Sequence, residues 1–410
     1  MADATVRLLT DDELPAAAKL IGRQMLGSVT DEVADGWADL FRGHGNIVHG
    51  AFADTELVGT AAWFPTRLAL PGEPIDAAGV TGVAVLSNHR RHGHLSRVMD
   101  AELHHIADAG CAVAVLIAAE YPIYGRFGYG CATQSCSIHL DTGAARFRDE
   151  ATGRITLVDP PELRPGLQPM FDARWARTPG AIQRVDEFWD HEAGLRGYPG
   201  RPFEPGKQRG ALWHDDAGQL QGAIVYKVEE IFTANRPAGI AEVEHLWGAT
   251  PEAERELWRH LLTVDWVRTA KASNRAVDDP LPFWLHDGRV ANFVDQSDNV
   301  WLRVLDVPAA FAARRAQAAG SAIVEVVDPA GFAAGRWLVE LGPEGGSAVA
   351  TTDAPDVTLS ASTLGAAFLG GHTVARLAQA GLVDEGTPGG IARATTLLQT
   401  PTAPWSPLGF

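Results

Sequence analysis

Gly82-Val83-Ala84-Val85-Leu86-Ser87-Asn88-His89-Arg90-Arg91-His92-Gly93-His94-Leu95-Ser96 carries the decisive pattern of this chain. A short apolar run (Val80, Val83, Val85) gives way to a basic loop around Gly93. Leu95, Val98, Met99, Leu103 and Ile106 then recur at helical spacing. Strand, basic glycine loop and helix together aim backbone N–H groups and a helix N-terminus at a pyrophosphate. The loop has no Gly-Lys-Ser/Thr, which argues against a nucleoside triphosphate. An ordinary basic turn between strand and helix is the alternative at this level.

The pattern resembles the acetyl-CoA loop of the GCN5-related N-acetyltransferases (GNAT), which reads Arg/Gln-x-x-Gly-x-Gly/Ala after a Val-x-Val strand. Here it reads Arg90-x-x-Gly93-x-Leu95, with leucine in place of the final small residue.

A chain of 410 residues exceeds one ordinary core and predicts two or three domains. With 34 basic against 51 acidic side chains the net charge is −17, which repels nucleic acid and anionic membrane. Acidic groups lining a cleft would favour a cationic ligand; elsewhere they serve solubility. Cys111, Cys131 and Cys136 follow no zinc spacing and read as reduced thiols of a cytoplasmic protein. Met1-Ala2-Asp3-Ala4 lacks the basic start of a secretory leader. The longest apolar run, 111–119, is half a membrane span and fits a strand buried on both faces.

Helices are expected over 14–26 and 33–41, then a hairpin of 47–52 and 57–64 turning at Asp54-Thr55-Glu56. A strand at 80–85, a helix at 94–109 and a strand at 112–117 follow, the order of an acetyltransferase fold. Prolines at 160, 161 and 165 mark a composition shift. Beyond it a strand pair (210–214 and 222–228), a strand at 241–247 and a helix over 251–270 repeat the first part without an Arg-x-x-Gly. This is a second acetyltransferase-like module without its CoA loop, or else an unrelated α/β domain. The last part alternates strands (301–307, 336–341) with alanine-rich helices (308–319, 362–369, 374–380). It ends in Pro401-Thr402-Ala403-Pro404-Trp405-Ser406-Pro407-Leu408-Gly409-Phe410, stiff and apolar where most ends are polar.

Tyr121-Pro122-Ile123-Tyr124-Gly125-Arg126-Phe127-Gly128-Tyr129 follows the buried strand. Acetyltransferases often carry a Tyr four residues before such a Gly–aromatic pair, where its phenol protonates the departing CoA thiolate. Tyr124 takes that role and Tyr121 is the runner-up. A histidine metal cluster at His89, His92 and His94 lacks carboxylate or cysteine partners, and no metal is expected. His104 and His105 read as a solvated helix face.

The 124–130 run, the His-Arg-Arg-x-Gly-x-Leu loop and the apolar terminus together resemble the Eis (enhanced intracellular survival) family. The resemblance implies an α/β (α+β) protein of three parts. They are a catalytic GNAT domain over 1–145, a degenerate GNAT-like domain over 146–290, and a sterol-carrier-protein-like domain over 291–410. It implies acetyl-CoA as cosubstrate, held by Val83, Ala84, Val85, Arg91, His92, Gly93, His94, Leu95 and Ser96, with Ala119 and Glu120 on the thioester side. It further implies a homohexamer that acetylates primary amines of cationic small molecules such as aminoglycosides at several positions. Tyr124 is then the general acid and the α-carboxylate of Phe410 the general base. A protein lysine acetyltransferase and a non-catalytic CoA or lipid sensor are the alternatives.

Overall fold

A computed structural model describes residues 5–201 and 208–410; the Met1–Ala4 segment weighed above lies outside them. The chain divides into two compact units.

The first unit comprises Met1–Thr133, Pro179–Ile182 and Asp298–Phe410. Its larger sheet has seven strands in the order Thr5–Leu8, Ile47–Ala53, Glu56–Leu68, Ile75–Val85, Val113–Ile117, Val300–Val304, Gly130–Cys131. Period-2 alternation covers both faces. Ala61, Trp63, Ala78 and Val80 pack towards Met99, Leu103 and Ile106 of the helix His94–Asp108. Val48, Ala62 and Ala84 pack towards Leu14–Gln24 and Asp31–Gly43. Val113–Ile117 is buried on both faces, as its apolar run requires: Ala114 and Leu116 join one core, Val113 and Val115 another.

The expected hairpin and first helices are present, with ends shifted by a few residues. The strand ladder departs from a purely local reading. Val300–Val304 inserts antiparallel between Val113–Ile117 and Gly130–Cys131, pairing Leu302 with both Val115 and Gly130. The sheets therefore divide the chain elsewhere than at 145 and 290.

The smaller sheet of this unit orders Gly346–Ala350, Gly335–Leu341, Gly320–Val327, Val357–Ser360 and Val383–Glu385. The helix expected over 308–319 stops at Ala313, where Arg314 turns extended and buries its guanidinium. That group donates to Phe368 O at 2.7 Å and to the Leu397 and Leu398 carbonyls, tying two helix ends together. Helix Ala361–Phe368 lies backbone against backbone on the larger sheet. A Cβ on Gly130 would sit 1.9 Å from Ser362 O, and one on Gly365 would sit 2.1 Å from Leu302 O. Both positions require glycine.

The second unit comprises Gln134–Thr178 and Gln183–Ser297. Its sheet orders Ala291–Asp298, Gln134–Asp141, Val267–Ala276, Gly239–Gly248, Leu220–Glu229, Gln208–His214 and Arg154–Val158 around buried Trp213, Tyr226 and Trp258. The helix expected over 251–270 is corrected here. It ends at Leu261, Trp266 takes a left-handed φ of 66°, and Val267–Ala276 runs as a strand parallel to Gly239–Gly248. Val267, Ala270 and Ala272 are buried there, and sheet pairing overrides the helix propensity of the alanines.

Candidate active site

Val83, Ala84 and Val85 end the strand Ile75–Val85, which carries an irregularity of its own. Thr60 pairs with Ala84 but Ala62 with Thr81, so one extra residue bulges out at Gly82. Gly82 has a φ of 59°, and its carbonyl accepts from Thr60 Oγ1 at 2.8 Å. Parallel pairing with Val113–Ile117 covers only Ala77–Gly79 against Val113–Val115. Beyond Gly79 the two strands part, and the edge of Val83–Val85 is free to pair with an extended ligand.

Arg91 and Gly93 in the loop both take left-handed φ, 66° and 82°. Gly93 caps His94–Asp108 with no side chain, so the first-turn N–H groups of His94, Leu95 and Ser96 lack a cap acceptor. A Cβ at Gly93 would meet nothing within 4 Å: the position needs glycine for its φ and opens onto free space. Arg90, Arg91 and His92 are exposed around it, while His94 is buried. The rings of His89, His92 and His94 lie 5.9 to 6.5 Å from one another. Burial, then His89, Arg97 and His92, lowers the pKa of His94. Among the described residues no group of side chains is arranged to hold a metal ion.

The matching place in the second unit is closed. Thr250 Oγ1 accepts from Ala253 N at 3.1 Å and Pro251 begins the helix Pro251–Leu261. A Cβ on Gly248 would lie 2.7 Å from Glu254 N, which leaves no room for a phosphate.

After Val113–Ile117, Ala119 and Glu120 are exposed and lead into the short helix Tyr121–Tyr124. Tyr124 is buried; burial first, then Glu102 and Glu120, pushes its phenol up to about 12, so it is protonated at neutral pH. Tyr121, the runner-up, is exposed and rests edge-on against Trp301 at 4.8 Å.

The tail is held as its composition predicts. Trp405 N donates to Pro179 O at 2.7 Å, and Trp405, Ser406 and Leu408 are buried. Segment 179–182 is stapled to residue 69 by hydrogen bonds in both directions. Phe410 meets the Phe64 ring edge to face at 5.9 Å, and Phe64 covers Gly79, where the strands part. A Cβ on Gly409 would lie 3.6 Å from Ile117. Tyr124 and Phe410 are thus both anchored beside the Val113–Ile117 strand.

Residues 5–132 match a family model described as an acetyltransferase (GNAT) domain, 180–304 a second such domain, and 307–407 a sterol carrier protein domain. The N-acetyltransferase Eis of Mycobacterium bovis is 34% identical over 90% of each chain. The chain belongs to the Eis family of N-acetyltransferases. An uncharacterized N-acetyltransferase of Streptomyces avermitilis is 36% identical over 87% of each chain. The crystal structure of Eis1 from Mycobacterium abscessus is similar with a TM-score of 0.86 at 31% identity, covering 100% of both chains. A GCN5-related N-acetyltransferase from Anabaena variabilis, at 18% identity and TM-score 0.84 over 100% of both, shares the fold.

This Eis-family enzyme is an acyltransferase built from two GNAT domains and a sterol-carrier-like domain. No helix among its described residues is long and apolar enough to cross a membrane. Two of its features departed from the sequence reading. His105 is not on a solvated face: it accepts from Trp63 Nε1 at 3.2 Å and meets His49, while His104 is exposed. Glu102 and Arg303, both fully buried, were not singled out, and Tyr129, also fully buried, was named only as the aromatic of the Gly–aromatic pair. The available signal was a glutamate at 102 inside the apolar stripe of a helix.

Proposed function

We propose that this enzyme transfers acetyl from acetyl-CoA to primary amines of cationic small molecules, aminoglycosides among them, at more than one position, by direct transfer in a ternary complex. The observation that carries the reading is the parting of Ile75–Val85 from Val113–Ile117 after Gly79, with buried Tyr124 just beyond the second strand. In this reading Val83–Val85 align the pantetheine. The loop Arg91, His92, Gly93, His94, Leu95 and Ser96 holds the pyrophosphate, and Ala119 and Glu120 flank the thioester.

The amine arrives as an ammonium and loses a proton to the main-chain carboxylate at Phe410, directly or through water. Its lone pair then attacks the thioester carbonyl carbon, the C–S bond breaks, and Tyr124 protonates the sulfur. A phenol held near 12 keeps its proton until a strong base, the nascent thiolate, forms beside it. A covalent acyl-cysteine is disfavoured: Cys111, Cys131 and Cys136 are free thiols whose pKa values burial raises, Cys131 to about 12. The acidic surface, at a net −17, favours a polycationic acceptor.

Thiol release from acetyl-CoA, measured with aminoglycosides, polyamines, arylalkylamines and lysine peptides, tests the reading. More than one equivalent of thiol per aminoglycoside supports it. Turnover with lysine peptides alone makes the enzyme a protein acetyltransferase. Removing Phe410, or appending one glycine to it, is expected to abolish turnover and leave CoA binding intact. The same reading has the chain assemble as a cytoplasmic homohexamer, which light scattering on the full chain tests.

A further inference from the structure

Position 102 breaks the pattern of the helix that carries it. Val98, Met99, Leu103 and Ile106 form the buried stripe of His94–Asp108, and 102 falls within it. The residue there is glutamate, fully buried, and neither carboxylate oxygen has a hydrogen-bond partner among the described residues. Two phenols from the segment after Val113–Ile117, Tyr124 and Tyr129, belong to the same core as the helix's Val98, Met99, Leu103 and Ile106. Their rings meet edge to face at 6.1 Å. Tyr129 is itself fully buried, and its hydroxyl has no partner among the described residues. Arg303 acts on Tyr129 as well; its Nη2 donates to Asp328 at 2.7 Å. His105, one turn on, is occupied by Trp63 and His49.

An apolar residue at 102 would pack in this core without the desolvation cost of a carboxyl, so packing does not explain glutamate. Burial raises the pKa of this carboxyl well above the ordinary carboxylate range, and in its protonated form it carries one O–H donor. Buried polar groups without protein partners take up internal water, which needs two to four of them converging. Among the described residues, both Glu102 oxygens, the Tyr129 hydroxyl and the Nε and Nη1 of Arg303 are buried polar atoms without partners.

We propose that Glu102 and Tyr129 hold an internal water next to Tyr124 and form a proton relay that restores the phenol in each turnover. The proposal rests on reading Tyr124 as the general acid. When Tyr124 gives its proton to the thiolate sulfur, a phenolate remains in a buried site. The carboxyl proton of Glu102 passes through the water to that phenolate, leaving Glu102 ionised. After CoA departs, a proton from solvent returns to Glu102 by way of Tyr124. Glu102 and Tyr129 are positioning residues in this scheme, since neither touches the thioester.

The test uses the full chain, acetyl-CoA and an amine that supports turnover. E102Q keeps the size and loses the acid proton; E102L removes the polar group and suits the core. Both are expected to lower kcat about 10- to 100-fold with KM for acetyl-CoA unchanged. E102L is also expected to melt above the wild type, which a structural role would forbid. The E102Q/Y124F double variant should be no slower than Y124F alone. Turnover of E102Q within twofold of wild type, or a double variant whose losses multiply, overturns the relay. If E102L does not fold, E102Q decides. If Y124F itself turns over normally, Tyr124 is not the acid and the relay falls with it. A collapsed Y124F beside a normal E102Q removes the relay alone.

Discussion

Gly93 and Gly110 flank the two ends of one helix, and the pair allows the phosphate loop to be tested against a matched control. Their φ values are 82° and 83°, and at neither would a Cβ meet any atom within 4 Å. Replacing either with alanine therefore adds no clash, only the left-handed strain of an L-residue, about 1–2 kcal/mol. Gly110 lies at the opposite end of the helix from the loop, so G110A is expected to lower the melting temperature and leave acetyl-CoA affinity alone. At Gly93 the loop relaxes without ligand, and the strain returns when binding restores the three aligned N–H groups. That is about 5- to 30-fold weaker binding. Calorimetric titration of CoA into the two variants is the assay. Equal dissociation constants for G93A and G110A would refute the reasoning, because the loop's conformation would then be irrelevant to the ligand.

Acetyl-CoA affinity should fall as pH rises from about 6 to 8. The free form depresses the pKa of His94 through burial, His89, Arg97 and His92, and phosphate oxygens favour the protonated ring, so binding takes up protons. His89 also lies 3.8 Å from Glu56, the one acidic group paired with the trio among the described residues. Titration in buffers of different ionisation enthalpy measures the uptake, and its absence at pH 7 counts against a histidine-held phosphate. R314M should destabilise the first unit by several kcal/mol, since the Phe368, Leu397 and Leu398 carbonyls lose a shared donor at about 1–3 kcal/mol each. Urea unfolding reads this directly. W405A removes a buried anchor worth about 3–5 kcal/mol. It should make the tail protease-sensitive and lower kcat while CoA binding persists.

The strand, loop and helix around Gly93 were legible because their signals are local: an apolar run, a glycine needing positive φ, a 3.6-residue stripe. So was the buried tail, whose prolines and aromatics suit no solvated end. The strand at 267–276 was not, because alanines favour a helix until a sheet edge claims them. Nor was the insertion of Val300–Val304 beside Val113–Ile117: its own alternation said strand but named no partner. Arg303 shows the same limit. Its place opposite Asp328 depends on which face of that strand turns towards Tyr129. Glu102 was readable in principle, since it interrupts a stripe otherwise drawn correctly.

The pairing of Leu302 with Val115 also sets a timetable for synthesis. At about 5–20 residues per second, a ribosome reaches Leu302 about 10–40 s after Val115. Until then Val113–Ile117 is an open, wholly apolar edge, the kind that recruits other chains. The site's central strand thus leaves the ribosome early and stays unfinished, so a nascent chain is expected to expose that edge to chaperones for the interval. The GNAT segment at 5–132 is for the same reason not a fragment that can be cut out and expected to fold by itself.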